Sequence, residues 1–161
     1  MTYFAAVLAR GSAERWRAVE VSLEDCESIA DIADVARDVS GGLRLVVIEQ
    51  DDEYAAVVRI DDDDSEARAF LSDAHAADVY SIAAVIAEEL GQVGVDDLDD
   101  DDVPPAHESA PLGDAEIVED LGTPASDLLS MCAHEGTLPM DVLVAVCEKA
   151  GCGEVFDDLR A

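Results

Sequence analysis

The chain has 161 residues, enough for one domain with a real core and a small helical appendage but short for two full domains. Half of it is hydrophobic while only 4% is aromatic, so the core must come from Ala, Val, Leu and Ile, which argues against general disorder. With 39 Asp and Glu against 9 Lys and Arg the formal net charge is −30, a surface that repels a phosphate backbone and argues against unaided nucleic-acid binding.

In chain order, Tyr3 to Arg10 is rich in β-formers and reaches a second such run, Arg15 to Val21, through Gly11, Ser12, Ala13 and Glu14, which predicts a hairpin with Trp16 on the sheet and partly buried. Ser22 and Asp25 match an S-x-x-[DE] cap, and Ile29, Ile32, Ala33, Ala36 and Val39 follow at helical spacing until Gly41-Gly42. Leu43 to Glu49 and Tyr54 to Ile60 read as a central hairpin across Gln50-Asp51-Asp52-Glu53. The acidic turn Asp61 to Asp64 leads to a shorter strand near Ala67 to Leu71. A helix is expected from about Ala76 to Leu90, closed by Gly91.

Composition then shifts. Residues 91–115 hold Asp96-Asp97, four aspartates at 99–102, Pro104-Pro105 and Pro111, the pattern of an acidic linker. Beyond it, Thr123-Pro124 reads as N-cap plus first helical residue, Pro139 opens another helix that Gly151 ends, and a short helical piece is expected at Val155 to Leu159. The reading is therefore α+β: an antiparallel sheet of about five strands in ββαβββα order over residues 1–90 with two helices on one face, an acidic linker over 91–115, and a small helical tail over 116–161.

Charge is uneven along this plan: residues 1–68 carry 17 acids and 7 bases, and residues 69–161 carry 22 acids with only Lys149 and Arg160 as bases. Cys26, Cys132, Cys147 and Cys152 form no C-x-x-C and read as small core residues of a reducing compartment. Met1 to Gly11 lacks a basic leader, and no stretch approaches the roughly 18 apolar residues of a membrane helix, so a cytoplasmic, membrane-free protein is expected.

The order of Tyr3-Phe4-Ala5-Ala6-Val7-Leu8-Ala9-Arg10, the hairpin Asp51-Asp52-Glu53-Tyr54-Ala55-Ala56-Val57-Val58-Arg59, Phe70-Leu71-Ser72-Asp73-Ala74 and the tail from Gly122-Thr123-Pro124 through Leu138-Pro139 resembles the actinobacterial tRNA adenosine deaminase-associated proteins. The likeness spans nearly the whole chain. It implies association with the enzyme that makes inosine at the tRNA wobble position, without assigning an activity.

Catalytic patterns fail one by one. A zinc deaminase needs His-x-Glu and a downstream Pro-Cys-x-x-Cys; His75 precedes Ala-Ala, His107 precedes Glu108-Ser109, His134 precedes Glu135-Gly136, and the cysteine motif does not occur. Asp96 to Asp102 lacks the mid-loop Gly of an EF-hand, Phe70 to Ala74 is not a nucleophile elbow, and no Gly-rich phosphate loop exists. No cofactor is expected.

The expectation is a non-catalytic accessory protein that meets a basic protein partner, in line with the resemblance a tRNA adenosine deaminase, by protein–protein contact. Asp99, Asp100, Asp101 and Asp102 would supply charge, and Leu128, Leu129, Met131 and Leu138 an apolar centre, unless these side chains pack the tail onto the sheet. The alternative class is a small-molecule-sensing or regulatory α+β domain, which rests on fold analogy alone.

Overall fold

A computed structural model describes residues 3–11, 15–39, 41–61, 67–95, 111–134 and 136–160. The expected acidic stretch Asp62 to Asp64 and residues 96–110, with Asp99 to Asp102, lie outside the described residues. The core of the molecule is an antiparallel sheet built from β1 (Tyr3–Arg10), β2 (Trp16–Glu20), β3 (Leu43–Gln50), β4 (Tyr54–Asp61), β5 (Arg68–Leu71) and β6 (Leu112–Gly113), in spatial order β2-β1-β3-β4-β5-β6. Sequential strands pair wherever a short turn joins them, and α1 (Ile29–Arg37) fills the connection from β2 to β3.

The α+β antiparallel plan is thus as expected, with one strand more than the five foreseen. β6 lies inside the stretch assigned to the linker: Phe70 pairs with Gly113 and Leu71 with Leu112, and Arg68 Nε donates to Asp114 Oδ2 at 2.5 Å. Two residues carry too little pattern to read as a strand, and Gly113 sits at φ +100 with the Ala69 carbonyl where a Cβ would stand. Only glycine fits there.

One face of the sheet carries α1 and α2 (Ser81–Val95), which bury Ala5, Val7, Val46, Ile48, Val58 and Ile60 together with Ile32, Ala36 and Ile86. Helix α1 starts later than the Ser22 and Asp25 signature suggests. Its cap is Ser28, whose Oγ accepts from Asp31 N at 3.1 Å, while Asp31 Oδ2 accepts from Glu27 N at 2.9 Å. Glu89 of α2 accepts from Ile29 N at 3.0 Å, so the two helices of this face are tied at the positive end of α1. Helix α2 begins at Ser81 after a 3-10 turn at Ala74–Asp78, rather than at Ala76, and passes through Gly91 to Val95.

The other face is covered by α3 (Ala125–Ala133), α4 (Pro139–Ala150) and α5 (Gly153–Arg160), the expected tail. Leu128, Leu143, Val146 and Phe156 meet Leu8, Leu45, Val47 and Val57 in a second buried cluster. Pro139 stands at the first position of α4 as expected. Thr123 is not the α3 cap: Pro124 O accepts the first helical bonds and Thr123 is buried one residue earlier. At the α4–α5 corner Gly151 adopts φ +94, and Cys152 N donates to Cys147 O at 2.8 Å, a Schellman closure that also buries both cysteines.

The segment entering this layer is clamped by charge. Arg59, only 7% exposed on β4, donates to both carboxylate oxygens of Asp120 at 2.5 and 2.8 Å, to Ile117 O at 2.7 Å and to Asp61 at 3.0 Å. That bidentate fork holds the 3-10 turn Glu119–Leu121 against the sheet.

Candidate partner-binding cleft

A cleft of about 450 Å³ opens where the β3–β4 turn, the end of β5 and the α3–α4 connection meet. Its acidic side comes from Asp52, Glu53 and Asp73, and its apolar side from Pro111, Cys132, Pro139 and Val142. Each part is positioned by local backbone chemistry.

The β3–β4 turn is closed by Glu53 N donating to Gln50 O at 2.9 Å, with Asp51 at φ 54 and Asp52 at φ 59. Positive φ at both central residues marks a type I′ turn, which matches the twist of the flanking strands but favours Asn-Gly or Asp-Gly over two aspartates. Holding non-glycine residues in the left-handed region costs on the order of 1 kcal/mol each. Asp52 N recovers part of this by donating to Glu49 Oε1 at 2.8 Å. The turn keeps its carboxylates at the cleft although glycine would relax it.

Where β5 ends, Ser72 N donates to Ala55 O and Ser72 Oγ accepts from Ala55 N, both at 2.8 Å, so the hydroxyl stands in for a strand carbonyl. Asp73 then caps the 3-10 turn by accepting from His75 N at 3.0 Å. His75 is exposed and faces Asp78 at 3.5 Å, with no hydrogen bond to Ser72. Ser72, Asp73 and His75 are therefore turn chemistry and not a hydrolytic relay.

The third wall follows from α3 and α4. Thr137 Oγ1 lies 3.2 Å from His134 Nδ1, and Leu138 N donates to Asp141 Oδ2 at 3.1 Å, which fixes the entry to α4. Burial pushes the Cys132 thiol up to about 11, so it stays protonated at neutral pH and is a poor nucleophile. Iodoacetamide at neutral pH should accordingly label Cys132 more slowly than a free cysteine peptide, as mass spectrometry of the folded chain would read. Among the described residues no group of three or more His, Cys, Asp or Glu is placed to hold a metal ion.

The apolar residues singled out from the sequence separate here. Leu128 is 1% exposed within the second core cluster, so it packs the tail onto the sheet and is closed to a partner. Leu129 is 40% and Leu138 48% exposed, two of the four exposed large hydrophobics among the described residues. Leu138 lies in the chain between Thr137 and Pro139, both on the cleft wall, without lining the cleft itself. Met131 is half-buried and lines a separate groove of about 250 Å³ between α3 and α4 with Asp127 and Lys149. Sequence reasoning missed Asp52, Glu53 and Asp73 as a group; adjacent acidic residues in the three-residue β3–β4 connection were the available signal.

Comparison with known proteins comes down to one match. Residues 3–153 fit the family model of the Rv3753c-like tRNA adenosine deaminase-associated protein. The chain belongs to that family. No curated protein and no solved structure matches it. The family description speaks of association with a tRNA adenosine deaminase, and three of the four segments behind the sequence resemblance (51–59, 70–74 and 122–139) contribute to the cleft. No helix among the described residues is long and apolar enough to cross a membrane.

Proposed function

We propose that the protein is a non-catalytic accessory protein of the cytoplasm that binds a tRNA adenosine deaminase by direct protein contact. The observation that carries this reading is the cleft with Asp52, Glu53 and Asp73 on one side and the exposed Leu138 next in the chain to its wall residues Thr137 and Pro139, on a protein of net charge −30. An enzyme that grips tRNA presents Lys and Arg to phosphates, and that surface is complementary to this one. Carboxylates steer the encounter and set its specificity, while a desolvated apolar contact holds the complex. Leu138, with Leu129 and Met131 on the same helical layer, supplies that contact; Asp99, Asp100, Asp101 and Asp102 add steering charge. Leu128 drops out of the set because it is buried.

The test is capture of the deaminase encoded in the same genome by the purified chain over a salt series. Capture that weakens as salt rises is expected, and Leu138→Asp should weaken it about tenfold or more. Absence of capture at every salt concentration, or deaminase turnover by the chain alone, would sink the reading.

The strained turn supplies a second check with opposite signs. Asp52→Gly relaxes a left-handed residue and removes a cleft carboxylate. It should raise stability to urea by roughly 0.5–1 kcal/mol while lowering the association rate with the deaminase. Faster association would show that the carboxylate does not face the partner.

A further inference from the structure

We propose that β2 is a docking edge for a second copy of this chain, two copies pairing β2 against β2 antiparallel about a two-fold axis through Ala18, so that their sheets join into one. The inference is independent of the deaminase reading and uses the opposite end of the sheet.

The two sheet edges differ. β6 is two residues long and too short to template a strand, whereas β2 has five residues, no proline and an unbroken register against β1. Gly11 N donates to Arg15 O and Val21 N to Ala5 O, which puts the odd-numbered residues of β2 in the hydrogen-bonded pairs with β1. The backbone N–H and C=O of Trp16, Ala18 and Glu20 therefore point away from the sheet, and no partner takes them among the described residues.

A two-fold axis perpendicular to the sheet through Ala18 brings these same groups together. Ala18 meets Ala18 of the second copy and Trp16 meets its Glu20, each pair exchanging two N–H···O=C bonds. The operation keeps each face on its own side, so Trp16 and Ala18 stay on the side of the C-terminal helices in both copies. Centring the pairing on Arg17 would set like charges opposite each other, and centring it on Val19 would leave Trp16 without a counterpart.

Side chains fit this register. Arg10 reaches over the Trp16 ring, its guanidinium carbon 5.6 Å from the centroid, and Trp16 is its neighbour on the edge side. Glu20 of the second copy arrives opposite Trp16 and within reach of that guanidinium. Val19, 38% exposed, is covered by the aliphatic stem of Arg17 from the second copy.

Charge singles out the same edge. Arg10, Arg15 and Arg17, three of the chain's nine basic residues, stand at this hairpin against Glu20 alone among its described acids. In the register centred on Ala18, Arg10 beside Trp16 and Glu20 of the second copy give two chains of net charge −30 opposite charges to pair at this edge. Their overall repulsion still acts at long range, so salt strengthens this contact, opposite to capture of a basic partner. One strand edge is a small interface, which sets a weak dimer with a dissociation constant of roughly 10–500 µM.

Sedimentation equilibrium of the purified chain, at concentrations up to about 1 mM and salt from about 0.05 to 0.5 M, tests this. A monomer–dimer equilibrium that tightens with salt is expected; a monomer throughout, as when the edge takes a strand of another protein instead, overturns it. Ala18→Pro removes an outward N–H, a site where an edge strand accepts proline, and should abolish the dimer with an unchanged circular dichroism spectrum. Glu20→Lys, an exposed change that leaves the fold intact, should weaken the dimer at least tenfold. A dimer that survives both substitutions unweakened would place the contact elsewhere.

Discussion

Phe156→Ala should lower unfolding stability by about 3–5 kcal/mol, the largest loss expected of any single substitution outside the central strands. Phe156 is fully buried on α5, its ring set edge-on to Phe4 of β1 at a centroid distance of 5.8 Å and an angle of 81°. Truncation removes the transfer free energy of the ring and leaves a cavity between α5 and the sheet that neither can close alone. A domain of this size holds on the order of 5–15 kcal/mol in total, so Tm should drop by roughly 10 °C. Because the C-terminal helices share a core with Leu8, Leu45 and Val47, the transition should stay a single cooperative step. Urea unfolding followed by Trp16 fluorescence and by circular dichroism reads both points. A loss below about 1 kcal/mol, or two separated transitions, would mean that the C-terminal helices fold as a detachable unit.

Arg59→Met comes second, with an expected loss of about 2–4 kcal/mol. The methionine keeps much of the buried stem but leaves the Ile117 carbonyl without its donor and frees Asp120 and Asp61. Both carboxylates reach solvent, at 61% and 39% exposure, so their release costs less than that of fully buried groups. Asp120→Asn should therefore cost less than Arg59→Met.

The same pair gives a pH dependence of known sign. The hydrogen bonds from Arg59 hold the Asp120 carboxyl below its ordinary value in the folded state. Its contribution is thus present above the unfolded carboxylate range and is lost as pH falls through the lowered folded value. Arg59 stays charged throughout, since pairing with Asp120 raises its already high pKa. Acid unfolding of Arg59→Met should lack this component, so the gap between wild type and variant narrows on acidification.

Particular residues show where the sequence was legible. Leu43–Gln50 and Tyr54–Asp61 read as strands because both are long, apolar and divided by a turn. The same runs held a further signal: apolar residues at consecutive positions, Leu45-Val46-Val47-Ile48, point to both faces of a sheet. A sheet buried on both faces needs cover on both, and α3 to α5 provide it. Start signals misled where two candidates stood close together. Ser28-x-x-Asp31 has the same S-x-x-[DE] form as Ser22-x-x-Asp25, and the true cap is the one directly before the apolar spacing begins at Ile29. Thr123 looked like a cap because it precedes proline, yet tertiary burial claimed its side chain.

The cleft was hidden for a different reason. Its walls come from residues 52–53, 72–73, 111, 132–133, 137, 139 and 142, which no local period connects. The strand register assembles them, by ending β5 opposite Ala55 and Ala56 beside the β3–β4 turn. Exposure of Leu129 against burial of Leu128 likewise depends on which side of α3 meets the sheet.

The most direct measurement is amide hydrogen exchange of the protein with and without the tRNA adenosine deaminase encoded in the same genome. The account predicts slower exchange on complex formation at Asp51 to Tyr54, at Ser72-Asp73 and from Cys132 to Leu138, with the buried strand β3 unchanged. Complex formation that leaves those three segments unprotected, or an enzyme that protects nothing at all, would contradict it.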